Sequence, residues 1–295
     1  MGSLENVKKH PKVGARRLYP TFALRRAVSI TLNYRMNMME SKPPAFWPDR
    51  VKASAIHLTL SLAIAALAGA LVFGVWYPYP YREISGGREL FLILVIVDVI
   101  LGPLMTLAVF NRVKPWPVLR RDLIVIAVCQ LAALSYGLWT VIAARPVHMV
   151  FEYNRFSVVH AIDIPKEELV KVPADINALP LNGPTLLSLR TFKNESEKVD
   201  FTLAAVAGVG LVARPELWQP YASALPEILK EAKPVSQLKT RFANRASEID
   251  RVVTTAGGNP QTVRYLPLIG RDHFWTVFVD PVDAHIVATM PLDPF

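Results

Sequence analysis

The chain has 295 residues with 33 Lys plus Arg against 24 Asp plus Glu, a formal charge of +9, and it is 52% hydrophobic but only 19% charged. That composition excludes a disordered chain, and a single cysteine, Cys129, excludes an intramolecular disulfide scaffold and any Cys-rich zinc or iron–sulfur site. Twenty-four prolines and 14 glycines with no repeating period exclude collagen-like and tandem-repeat chains, which leaves a membrane protein or a globular chain of one or two domains.

Residues 1–52 form a basic segment with 11 Lys/Arg and 3 Asp/Glu, including Arg16-Arg17 and Arg25-Arg26, and with three methionines at Met36, Met38 and Met39. The arginine pairs lack the flanking pattern of a twin-arginine signal and no cleavable apolar stretch follows. The plain reading is a start codon placed too far upstream, by about 38 residues, or a basic tail lying on anionic lipid. No chemistry is assigned to it.

Residues 53–144 hold three apolar runs. Ala53 to Trp76 carries one ionisable side chain, His57; Leu90 to Phe110 carries Asp98 and a Gly102-Pro103 pair; Leu123 to Ala143 carries no charge. At ~1.5 Å per residue each run matches the ~30 Å hydrocarbon thickness, so three transmembrane helices are predicted. The link between the second and third runs holds Arg112, Lys114, Arg120 and Arg121 against Asp122, whereas the first link balances Arg82 and Arg88 with Glu83 and Glu89. The positive-inside rule therefore places the N-terminus and the second link in the cytoplasm and everything after Ala144 outside. Trp76, Tyr77, Tyr79 and Tyr81 read as an aromatic belt at the outer end of the first helix, with Trp139 at that of the third. The positive charge resides in the segments flanking lipid, since residues 145–295 have 16 basic against 17 acidic residues. A nucleic-acid partner is not implied.

Residues 145–295 read as one small α+β domain with an antiparallel sheet. Val147 to Glu152 and Phe156 to Ala161 form a hairpin; Pro165 to Glu168 starts a helical turn. Glu195 to Val212 and Val235 to Thr255 are predicted helices, the second stopped by Gly257-Gly258-Asn259-Pro260. Three alternating runs near Thr262 to Leu268, Phe274 to Val279 and His285 to Met290 make a meander whose second turn is Asp280-Pro281-Val282-Asp283. Leu203 to Val212 is too short for a fourth span.

Motifs for catalysis are absent: there is no HExxH, Walker A loop or GxSxG elbow, and no two of the six histidines stand three or four residues apart on a helix. His148 with His160, and His273 with His285, are read as strand histidines on a wet face. Neither a metal, a cofactor nor an enzymatic activity is expected.

Asp98 is the costly residue, because a carboxylate inside a bilayer requires a partner, a cavity or a proton. Counting turns puts it ~18 Å from the cytoplasmic end of its helix, level with Ser135 and Tyr136 of the third helix. Two readings stand side by side: Asp98 is hydrogen-bonded to Tyr136 or Ser135, tying two helices together, or it receives a polar group from a guest helix. Gly102-Pro103 opens a polar groove one turn away by removing a backbone hydrogen bond. Small-residue stripes, Ala66, Ala70 and Gly74 on the first helix and Cys129, Ala133 and Gly137 on the third, permit close helix packing.

The stretch from Phe73 to Phe110 contains Trp76-Tyr77-Pro78, Ser85-Gly86-Gly87 and Asp98 to Pro103 as DVILGP, and it is followed by Arg120 to Leu123, Tyr136 to Trp139 and Ala144 to Val147. From about residue 45 onward the chain closely resembles the TfpX/TfpZ-type pilin accessory proteins of bacterial type IV pilus systems. The resemblance implies a non-enzymatic inner-membrane protein that stabilises a pilin subunit and promotes its assembly, with pilin, membrane lipid and other pilus-assembly components as partners. From another class, a small membrane sensor or transporter subunit would use Asp98 as a proton or ion site. An outer-face enzyme on a membrane anchor ranks last.

Overall fold

The computed structural model describes residues 46–295 apart from 207, 209 and 272. The readings of Met36, Met38, Met39, the arginine pairs and the start codon lie outside the described residues. Three helical stretches, Trp47–Trp76, Gly87–Val109 and Trp116–Ala143, are long and apolar enough to cross a membrane. The first is helix α1 (Phe46–Leu71), prolonged by a π-turn, Val72–Trp76, in which the Tyr77 amide donates to the Val72 carbonyl five residues back, at 2.7 Å. A short helix, α2 (Tyr81–Ile84), leads into the second stretch, made of α3 (Gly87–Val95), a π-turn (Ile96–Leu101) and α4 (Gly102–Val109). The third is α5 (Trp116–Ala143), which begins, as Pro117 suits it to, with a proline in its first turn.

The second stretch packs between the other two. Gly69 of α1 faces the Phe91 ring, and Ser54 donates to the Pro103 carbonyl at 2.9 Å; Gly137 of α5 seats Leu94. At the end nearer the sheet, α1 and α5 also meet each other, where Val72, Tyr77 and Val141 are buried together and the Tyr77 hydroxyl donates to the Val141 carbonyl at 3.1 Å. Tyr77 is thus a buried residue, and Tyr81 reaches into the C-terminal domain with its hydroxyl 3.6 Å from Met149 Sδ. Both are drawn into protein contacts rather than left free for the expected aromatic belt; Tyr79 and Trp139 are exposed, and Trp76 is half-buried beside Tyr77.

The C-terminal domain carries an eight-stranded sheet: β1 (Pro146–Glu152), β2 (Arg155–His160), β3 (Thr185–Leu189), β4 (Trp218–Pro220), β5 (Lys233–Pro234), β6 (Arg264–Ile269), β7 (Phe274–Val279) and β8 (Ile286–Met290). The order is β4-β3-β1-β2-β6-β7-β8, with β5 beside β6. The hairpin and the meander are antiparallel as expected, but β1 runs parallel to β3 and β2 parallel to β6, so the sheet is mixed. The parallel pairs join segments far apart in the chain. Both faces are covered. Met149, Phe151, Leu266 and Val277 bury one face under Ile228 of α7 (Leu225–Glu231), while Tyr265 and Phe278 bury the other under α8 (Val235–Arg241) and α9 (Ala246–Thr255). At β1 the second face is covered instead by Ile164, Leu187 and Trp218, which pack on Val147 and Val150, so β1 is buried at every position, against the alternation a half-exposed strand would show. Helices α8 and α9 divide what was expected as one helix, and α6 (Glu195–Val206) stops short of Val212.

The first histidine pair is buried, contrary to the wet-face reading: His148 lies 2.8 Å from Thr185 Oγ1 and 3.0 Å from the Ala178 carbonyl, and His160 lies 2.9 Å from Asp163. His273 and His285 are exposed.

Candidate functional site

The π-turn at Ile96–Leu101 sets the site. In a π-turn a carbonyl takes its donor from five residues on, and for Asp98 that residue is Pro103, which has no N–H. The Asp98 carbonyl is satisfied instead from α5, where Gln130 Nε2 donates to it at 3.1 Å. Gly102 makes room for that amide, since a Cβ there would overlap the Gln130 head group. At the Gly102-Pro103 pair the missing N–H leaves a backbone acceptor that a side chain of a neighbouring helix answers.

The Asp98 side chain is in a different state. The residue is 7% exposed, and among the described residues neither carboxylate oxygen has a hydrogen-bond partner. It sits on the floor of a groove of about 640 Å³ between α1 and α5, walled by apolar residues such as Leu60, Ile64, Ile126 and Leu131. The groove runs to Ile64 and Leu134 at one end and has Asp49, Lys52 and Arg112 at the other. Four further polar side chains line it: Ser61, His57, Thr106 and Gln130. His57 Nδ1 is 2.5 Å from the Thr106 hydroxyl, and Thr106 and Ser61 are buried. Chemically the groove is an apolar slot with one open acceptor at mid-depth and a histidine–threonine pair nearer the basic end.

Ser135 and Tyr136 do not belong to it. Both are exposed, and the Tyr136 ring lies against Trp139, 5.9 Å between centroids, so the expected hydrogen bond to Asp98 is replaced by an unpartnered carboxylate. Of the small-residue stripes, Ala66, Ala70 and Gly74 all face outward, and the packed face of α1 runs instead through Ser61, Ala65, Ala68 and Val72. On α5, Gly137 packs on Leu94 and Ala133 is half-buried, while Cys129 is exposed. Gln130 was missed in the sequence although a signal existed, as the one carboxamide in the uncharged run Leu123 to Ala143.

Asp280, Asp283 and His285 lie close enough to share a cation, but they form an exposed turn in which Asp280 accepts from the Val282 amide and Asp283 holds the His285 ring at 2.7 Å. That set is explained as turn chemistry.

A protein family described as fimbrial assembly protein FimB matches residues 45–86, which span α1 and the link to α3. The chain is 35% identical to the fimbrial assembly protein of serogroup I of Dichelobacter nodosus and 33% identical to that of serogroup E1, in each case over 83% of this chain and 95% of the relative. The protein of serogroups C1 and C2 is 41% identical over 40% of this chain and 90% of its own length. No solved structure matches the chain. Shared along nearly the full length of those relatives, this likeness makes the chain a member of the fimbrial assembly protein family.

Proposed function

We propose that the protein is a non-catalytic accessory protein of the bacterial inner membrane that holds a type IV pilin subunit before polymerisation and promotes its assembly into fibres. The names of the relatives support a role in fimbrial biogenesis, and the resemblance to TfpX/TfpZ-type proteins narrows that role to service of the pilin. The charge asymmetry of the links supports an N-terminus in the cytoplasm and a periplasmic C-terminal domain, with residues 1–52, 53–144 and 145–295 as cytoplasmic, membrane and periplasmic parts. The observation that carries the reading is the groove: an apolar slot with a buried, unpartnered carboxylate suits a guest helix better than it suits the protein alone.

The test is recovery of tagged full-length protein from host membranes in mild detergent, after in-cell crosslinking, with mass spectrometry of what accompanies it. Enrichment of the major pilin over an unrelated three-span control is expected. Its absence despite abundant pilin in the same membranes overturns the reading.

A second reading has one observation in its favour: His57 lines the same groove as Asp98, which gives a sensor or transporter subunit two ionisable groups. A steep pH dependence of ion flux in vesicles, abolished by Asp98→Asn, would favour it.

A further inference from the structure

We propose that the groove between α1 and α5 takes one apolar helix of a separate polypeptide, and that this helix presents a hydrogen-bond donor to Asp98 near the middle of the membrane. This rests on the pilin-accessory reading and names the chemistry by which the pilin would be held: a single span carrying a polar N–H or O–H group, ammonium included, otherwise smooth and apolar.

The acceptor is defined by what surrounds it. Gln130 Nε2 of α5 donates to the Asp98 main-chain carbonyl and His57 Nδ1 faces the Thr106 hydroxyl, and neither side chain hydrogen-bonds the Asp98 carboxylate. A buried carboxylate without donors is costly, so the free protein carries a penalty that a guest donor would relieve. Lining residues run from Asp49 to Ile64 along α1, about 22 Å of helix, so the guest must offer that length of surface, apolar apart from its donor. The segment preceding α1 does not meet this requirement. Its longest stretch without Asp, Glu, Lys or Arg is residues 27–34, eight residues or about 12 Å as helix. A foreign span meets it readily.

The side chain of Asp98 makes no hydrogen bond within the described protein, which separates binding from folding. Asp98→Leu keeps the main-chain carbonyl that Gln130 uses and removes the buried carboxylate, so the variant in detergent should melt no lower than the parent. Asp98→Asn keeps an acceptor oxygen. The experiment places a photo-crosslinking amino acid at Leu60 or Leu131, which line the groove, and as a control at Ile93, which is exposed outside it, in cells that express the pilin. The expected result is pilin adducts from the two groove positions and not from the control, retained with Asp98→Asn and reduced about tenfold or more with Asp98→Leu.

The inference is overturned alone if pilin co-purifies but no adduct forms from the groove, or if Asp98→Leu crosslinks as well as the parent. It is equally overturned if the adducts lead to residues 1–45 of the same chain or to a second copy, or if Asp98→Leu lowers the melting temperature of the isolated protein. Failure to recover pilin with the parent protein by any route defeats the accessory reading itself.

Discussion

His148 illustrates how one buried side chain ties stability to pH. The Ala178 carbonyl can only accept, so Nε2 carries the proton, and Nδ1 then accepts from the Thr185 hydroxyl. Burial pushes the imidazole down to about 4, well below its ordinary 6.5, and the ring packs on Trp218 with 4.6 Å between centroids. Because the unfolded chain binds a proton that the folded one refuses, the contribution is fully present above pH 6.5 and is lost as pH falls toward 4. The full effect is about 3 kcal/mol. Urea unfolding of the full chain in detergent, followed by tryptophan fluorescence at pH 7 and pH 4.5, should show this loss, and His148→Gln should flatten it. An unchanged acid dependence in the variant would place the sensitive group elsewhere.

At the scale of the element, the second long helix is a compromise between Pro103 and Gln130. Gln130→Leu strands the Asp98 carbonyl in an apolar setting and is expected to cost about 1–3 kcal/mol. Pro103→Ala restores an N–H on the helix itself, so the pair should be non-additive, with Gln130→Leu costing much less in the Pro103→Ala background. Thermal melts of the four proteins in one detergent measure it, and simple additivity would refute the compensation. The same element shows what could be read from the chain and what could not. Length and hydropathy locate all three helices, and charge and proline mark Asp98 and Gly102-Pro103, because those signals are local. The rotational phase of the helices is not local. The π-turn at Ile96–Leu101 shifts the faces of the second helix away from a regular 3.6-residue count and the Asp98 carbonyl meets Gln130, whereas Tyr136 and the Ala66 stripe face outward on regular stretches of helix, a phase set by which neighbours each helix packs against. In the sheet, hairpins carry turn residues and were legible, whereas the parallel partners β1 with β3 and β2 with β6 carry no short-range mark.

For the whole molecule, the link between the first two long helices is built into the C-terminal domain. Ile84 is part of the sheet's core cluster, its carbonyl accepts from the Arg271 amide at 2.8 Å, and Gly270 lies so close to it that a Cβ would clash. Beneath this, Arg145 is buried just after α5 and donates to three carbonyls: Ile142 at 2.7 Å, Leu179 at 3.2 Å and Pro180 at 3.3 Å. It thereby ties the 179–183 loop to the end of α5, where Gly183, at φ 81°, approaches the Val75 carbonyl and Pro78. Helices and sheet are thus held in one orientation, so a guest lying in the groove would meet the domain at a fixed height. Arg145→Met removes all three donors, and Arg145→Lys cannot restore them, because one ammonium on a flexible stem does not match a planar fork reaching three separate acceptors. Both variants should keep their helical circular dichroism while amide exchange in residues 173–184 rises about tenfold or more, since each stranded carbonyl costs about 1–3 kcal/mol. If Arg145→Lys protects the loop as well as the parent, a single charge suffices and the fork is not what couples the two parts. If both variants loosen the loop and pilin recovery falls with them, the fixed orientation is itself part of how the subunit is held.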